Sequence, residues 1–197
     1  MDYSLQTTLA ITQAMTDELV DYLMGDSLYR QLVVKTPDGV RQPKMTLGAL
    51  LEAVQQLDWQ RPQLNPAQRQ QLTAIEERIA VARASFAAAW DSLLRRELKA
   101  LLDSWKWYLD DVRENEAARD NYASEAHTRT RIELVQAALA ASVPAESSYT
   151  DQDELDKLDR QLRGLLRRGQ YVGPRGSESH YSADQAWWLY GRPAADD

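Results

Sequence analysis

The chain of 197 residues contains no cysteine, one phenylalanine, two histidines, eight glycines and seven prolines, and each shortage removes something. Without cysteine there are no disulfides, thiolate nucleophiles or Cys-based metal sites, so the fold must be held by packing. Two histidines leave little for metal chemistry: Glu125-Ala-His127 and Glu178-Ser-His180 have i,i+2 spacing, which points the groups apart on a helix. The Asp151–Asp156 segment resembles a calcium loop but lacks its central glycine and terminal glutamate. Phosphate loops, dinucleotide fingerprints and nucleophile elbows are missing from the sequence. No cofactor, metal or catalytic residue is therefore expected.

Long hydrophobic runs are also lacking. No apolar stretch approaches the roughly 18 to 20 residues that cross a bilayer, and the first residues carry neither a basic region nor a small-residue cleavage site. The expectation is a cytoplasmic protein with no membrane association. A net charge of −7 argues against nucleic acid as a partner, since that association needs Lys and Arg to displace counterions. Arg160, Arg163 and Arg167 fall on one face of an expected final helix. Complementing the helix dipole explains them more simply than binding phosphates does.

The scarce glycine and proline are unevenly placed. Neither occurs from Ala67 to Val143, where average usage would put about nine. Because glycine costs a helix interior up to about 1 kcal/mol and proline about 3, this stretch is written for helix. Asn65-Pro66 starts it, with a side-chain acceptor at the N-cap and proline where its missing N–H costs nothing. Leu72, Ile75, Ile79, Ala82, Phe86 and Ala89 then recur at threes and fours, a heptad seam. The spacing lengthens to successive fours through Phe86, Trp90, Leu94 and Leu98, which reads as a stutter. A helix from Pro66 to Glu114 would be roughly 70 Å long, against a radius of gyration of about 16 Å for a compact chain of this size. An elongated or dimeric molecule is the expectation, unless the polar run Arg113–Asn121 interrupts the helix. Tyr122 to Ala141 forms the returning arm of an αα-hairpin, with Ile132, Val135 and Leu139 inward and Glu125, Arg129 and Glu133 as an i,i+4 charge ladder.

Shorter elements flank this hairpin. Ser4 caps a helix running to about Met24, with a second N-terminus suggested at Thr16-Asp17-Glu18. Thr36-Pro37-Asp38-Gly39 predicts a turn between two short strands. Thr46 caps a helix to about Leu57. Pro144 to Tyr149 reads as a linker, and a last helix carries Leu155, Leu158, Leu162 and Leu165 and stops at Gly169. The predicted fold is mainly α, in one elongated domain over residues 1–197. Residues 1–60 hold the N-terminal helices and the β-hairpin, 65–142 the long hairpin, and 150–197 a C-terminal helix with an aromatic tail.

Aromatic usage is unusual, with six Trp and nine Tyr against the single Phe86. Trp and Tyr carry polar handles suited to half-wet positions and interfaces. Trp105 and Tyr108 lie on the seam. Trp107, two residues and about 200° around the helix from Trp105, points away from it among Asp103, Asp110 and Asp111. An indole ringed by carboxylates suits a cationic group or a partner's arginine. The alternative is a covered position, with the tail residues Trp187, Trp188 and Tyr190 packed over it. Functionally, the sequence predicts a non-enzymatic helical interaction or scaffold protein, a homodimer through the long-helix seam with a possible further protein partner. The competing expectation is a binding protein or enzyme that takes a cationic small molecule in a pocket near Trp107, Asp110 and Asp111.

Overall fold

A computed structural model describes residues 3–141, 149–174 and 176–194, with side chains at 149–151 excepted. The expected linker over 144–148 lies outside the described residues. The architecture is mainly α, as the helical composition requires, with small antiparallel strand pairs. Two compact units divide it, residues 1–97 and 98–197.

In the first unit, Ser4 accepts a hydrogen bond from the Thr7 N–H and starts α1, Leu5–Asp17. The chain breaks at Glu18, where the sequence suggests a second start, and continues as α2, Leu19–Met24. Strands β1 (Arg30–Gln31) and β4 (Lys44–Met45) pair outside β2 (Val34–Thr36) and β3 (Gly39–Arg41). The turn is the one expected: Gly39 adopts φ +102°, which a side chain would resist. Two strands alone are marginal, and this pair is tied to α1 through Asp38, which accepts from the Ser4 and Thr7 hydroxyls at 2.6 and 2.7 Å. Those hydroxyls hold the Asp38 carboxyl below its ordinary value.

Thr46 caps α3, Leu47–Trp59, by accepting from the Ala49 N–H. A buried carboxylate completes that helix start: Glu97 accepts from the Thr46 hydroxyl at 2.5 Å and from the Gly48 N–H at 2.8 Å. Negative charge at a helix N-terminus meets its unpaired N–H groups and its dipole, which makes burial of Glu97 tolerable.

α4, Pro66–Ser85, opens with a capping box between Asn65 and Gln68. It stops at Phe86, and α5, Ala87–Glu114, follows. The uninterrupted rod expected from Pro66 onward is thus broken where the seam changes step. Each step of four residues turns the apolar stripe by about 40°, so a run of fours must re-aim the helix to keep its leucines inward. A 3-10 turn over Glu116–Asn121, started by the Asn115 side chain, ends α5 within the polar run expected to interrupt it.

The boundary between the units falls within α5. In the second unit, α5 packs against α6, Tyr122–Ala140, as the returning arm of the hairpin. An aromatic contact joins them: Tyr108, stacked on Trp105 of its own helix at 5.6 Å, meets Tyr122 of α6 at 6.4 Å between ring centroids. Next comes α7, Tyr149–Leu165, which buries Leu155, Leu158 and Leu162. It does not run on to Gly169. Leu166–Tyr171 is instead strand β5, paired antiparallel with β6, Tyr190–Pro193. Arg167 therefore leaves the helix face that Arg160 and Arg163 share. Gly191 permits the pairing, because at φ +148° its Cβ would lie 2.3 Å from the Arg167 carbonyl oxygen.

Most of the seam is spent inside the chain. Leu72, Ile75, Ile79, Ala82, Trp90, Leu94, Leu98, Trp105 and Tyr108 of the seam are buried by the protein's own elements, and Phe86 and Ala89 are half-buried. Most of the surface expected to seek a second copy is therefore already covered.

Candidate functional site

Trp107 stands on α5 in the second unit and is 71% exposed, whereas Trp105 beside it is fully buried. Its neighbours a turn away, Asp103 and Asp110, are exposed, and Asp111 is half-buried. The helical geometry thus brings the four expected residues to one surface, and the described tail residues do not cover them. A cleft of about 480 Å³ opens nearby, but its walls are Asp110, Arg113, Glu114, Arg119 and Leu165. Of the residues expected to form a cation pocket, only Asp110 lines it, and two arginines oppose the carboxylates there. Asp110 is further engaged by Gln161, whose side-chain amide donates to the Leu109 carbonyl at 3.2 Å and lies 3.4 Å from the Asp110 carboxylate.

The tail docks elsewhere, on α6 and α7. Trp188 is buried, donates its indole N–H to the Thr130 hydroxyl at 3.0 Å, and accepts at its carbonyl from the Tyr122 hydroxyl at 2.5 Å. Burial pushes the Tyr122 hydroxyl far above the ordinary tyrosine range. Tyr190 donates to the Tyr181 carbonyl at 2.6 Å and packs on Tyr171, 5.3 Å between centroids.

Arg129 holds this docking together. Its guanidinium lies 4.0 Å from the Trp188 ring centroid. It also forms a two-pronged pair with Asp159 at 2.8 and 2.9 Å, and reaches Glu133 at 3.5 Å. The i,i+4 ladder offers only Glu125 and Glu133 as its partners; in the fold Arg129 is buried, and the partner that matters lies on α7. Only half of the ladder pattern survives, since Glu133 remains exposed enough to be a weak partner. Burial nonetheless raises the carboxyls of Glu125 and Glu133, the latter opposed by Arg129.

Trp187, T-shaped against Trp188 at 5.9 Å, is half-buried and carries a second arginine, Arg163, at 4.0 Å from its ring centroid. Arg163 and Trp187 share with Leu166, Arg168, Asp184 and Tyr190 the walls of a cleft of about 470 Å³. The sequence signal for this cleft was the set Arg160, Arg163 and Arg167, of which Arg163 lines it. It pointed to a helix face, because nothing local reveals that the chain turns into a strand after Leu165.

Among the described residues, no group of three or more His, Cys, Asp or Glu side chains could hold a metal ion, and no helix is long and apolar enough to cross a membrane. No known protein family, curated protein or solved structure matches the chain significantly.

Proposed function

We propose that the protein is a non-enzymatic helical interaction protein that receives a basic segment of another protein on the Trp107 face. The exposure of Trp107 carries this reading. Leaving a large indole in water forgoes a burial worth on the order of 2 to 3 kcal/mol, while the same helix buries two other tryptophans. Tryptophan is a preferred interface anchor, and carboxylates around it select for arginine or lysine. An arginine laid on the indole would gain cation–π attraction and charge pairing together. Self-association along the seam is not part of this reading, since most of those side chains are already covered.

A photo-crosslinking amino acid at position 107, introduced in the cell of origin, tests it. The crosslinked peptide of the partner should contain Arg or Lys, and the crosslink should fade in the Asp110→Asn/Asp111→Asn variant and at high salt. Crosslinks to peptides without basic residues, or insensitivity to both changes, would overturn the proposal. Sedimentation at micromolar concentration should show a monomer. A dimer broken by a seam substitution that leaves the fold intact would reinstate self-association.

A further inference from the structure

We infer that the cleft between α7 and the β5–β6 pair is a binding site for a phosphomonoester of a hydroxyl-bearing small molecule, such as a sugar phosphate or mononucleotide. This goes beyond the Trp107 face and uses none of its residues. The chain has 30 acidic residues and 23 basic ones, yet Arg163 and Arg168 reach no carboxylate among the described residues. Both line the same cleft. Behind them, Arg167 lies directly opposite Arg192 in the strand register, a like-charge pairing that disfavours the sheet. Two arginines without a carboxylate partner thus face one cleft of an acidic protein, with a second like-charged pair on the strands behind it, and an anion in the cleft relieves the repulsion.

Geometry narrows the ligand. Arg163 rests on the face of Trp187, which fixes the guanidinium plane and leaves its N–H edge to fork onto a phosphate. Fixing it beforehand lowers the ordering cost of binding. Asp184 shares the walls but lies beyond ion-pair distance of either arginine, so its oxygens are able to accept from a hydroxyl or amine of the same ligand. Trp187 and Tyr190 supply apolar wall, and about 470 Å³ is the volume of a small-molecule site. A bare polyanion would be repelled by Asp184, whereas a phosphorylated polyol meets both kinds of group.

Isothermal titration of the full chain with ribose 5-phosphate, adenosine monophosphate, ribose, adenosine and a short single-stranded oligonucleotide tests the inference. At least one of the two phosphomonoesters should bind, and its unphosphorylated counterpart should not. Arg168→Gln should weaken binding at least about tenfold, the loss of one charge-assisted hydrogen bond. Arg163→Gln should do the same, and Asp103→Asn on the Trp107 face should leave binding unchanged. Arg168 is exposed, so its variant folds, and an unchanged near-ultraviolet circular dichroism spectrum verifies this. Failure of both phosphomonoesters at millimolar concentration, or equal affinity in Arg168→Gln, would overturn the proposal. Binding confined to the oligonucleotide, with a steep salt dependence, would overturn it too and mark the corner as a nucleic-acid contact.

Discussion

Removing the carboxylate of Asp159 should destabilise the second unit by about 3 kcal/mol. Arg129 is 6% exposed, so its charge cannot be hydrated when its partner is lost. Breaking a buried pair in this way costs about 3 to 5 kcal/mol. The lower end applies, because Glu133 stays within 3.5 Å and the Trp188 ring still faces the guanidinium. Arg129→Met instead deletes the buried charge and keeps the apolar stem against Trp188. The Asp159 side chain left behind is 15% exposed and retains some water, so that cost should be about 2 kcal/mol. The double variant Arg129→Met/Asp159→Leu leaves no orphaned charge. Its cost should fall about 2 to 3 kcal/mol short of the sum of the single variants. Urea unfolding, followed through near-ultraviolet circular dichroism, measures all three. Additivity to within about 0.5 kcal/mol would refute the claim that Arg129 and Asp159 act as one buried unit.

Three other outcomes are expected. Gly191→Ala forces a Cβ against the Arg167 carbonyl in a backbone region that side chains avoid; it should cost at least about 1 to 3 kcal/mol and expose the β5–β6 amides to hydrogen exchange, while retained protection would show that the strands tolerate it. Burial raises the hydroxyls of Tyr22, Tyr108 and Tyr122, so their stabilisation is complete below the ordinary tyrosine range and is lost as pH rises through and above it. Absorbance titration should therefore show these three ionising only together with unfolding, and a reversible titration of all nine tyrosines in the folded protein would contradict their burial. Finally, the carboxylates around Trp107 should make its fluorescence more sensitive to caesium than to iodide, a preference that Trp107→Phe removes; equal quenching by both ions would mean the acidic surround is not felt at the indole.

Much of this fold is legible where the determinant is local. Ser4, Thr46 and Asn65-Pro66 each start a helix because a side-chain oxygen satisfies N–H groups within the next turn, and the Pro37-Asp38-Gly39 turn follows from its own φ preferences. That Trp107 points away from the seam follows from helical arithmetic alone, once Trp105 is placed inward; whether the tail covers it does not. What could not be read depends on distant partners. Arg129 has the spacing of a surface ladder, and only Asp159, thirty positions later, turns it into a buried hub. Strand β5 has no alternating pattern to announce it; it exists because β6 returns to it with a glycine at the point of closest approach. The break at Phe86 is half legible: the phase slip marks its position, but whether a helix bends smoothly or stops there is decided by what lies beneath.

The docking of Trp188 also bears on how the second unit comes to be folded. Its indole bonds Thr130, 58 residues earlier in the chain, and its carbonyl serves Tyr122, 66 residues earlier. While the polypeptide is being synthesised, α6 emerges with a vacant slot and an arginine whose aromatic cover has not yet been translated. Contacts so far apart in sequence form slowly. This half of the molecule must therefore wait in an incompletely packed state, and it is during that interval that the nascent chain is most open to chaperones and proteases.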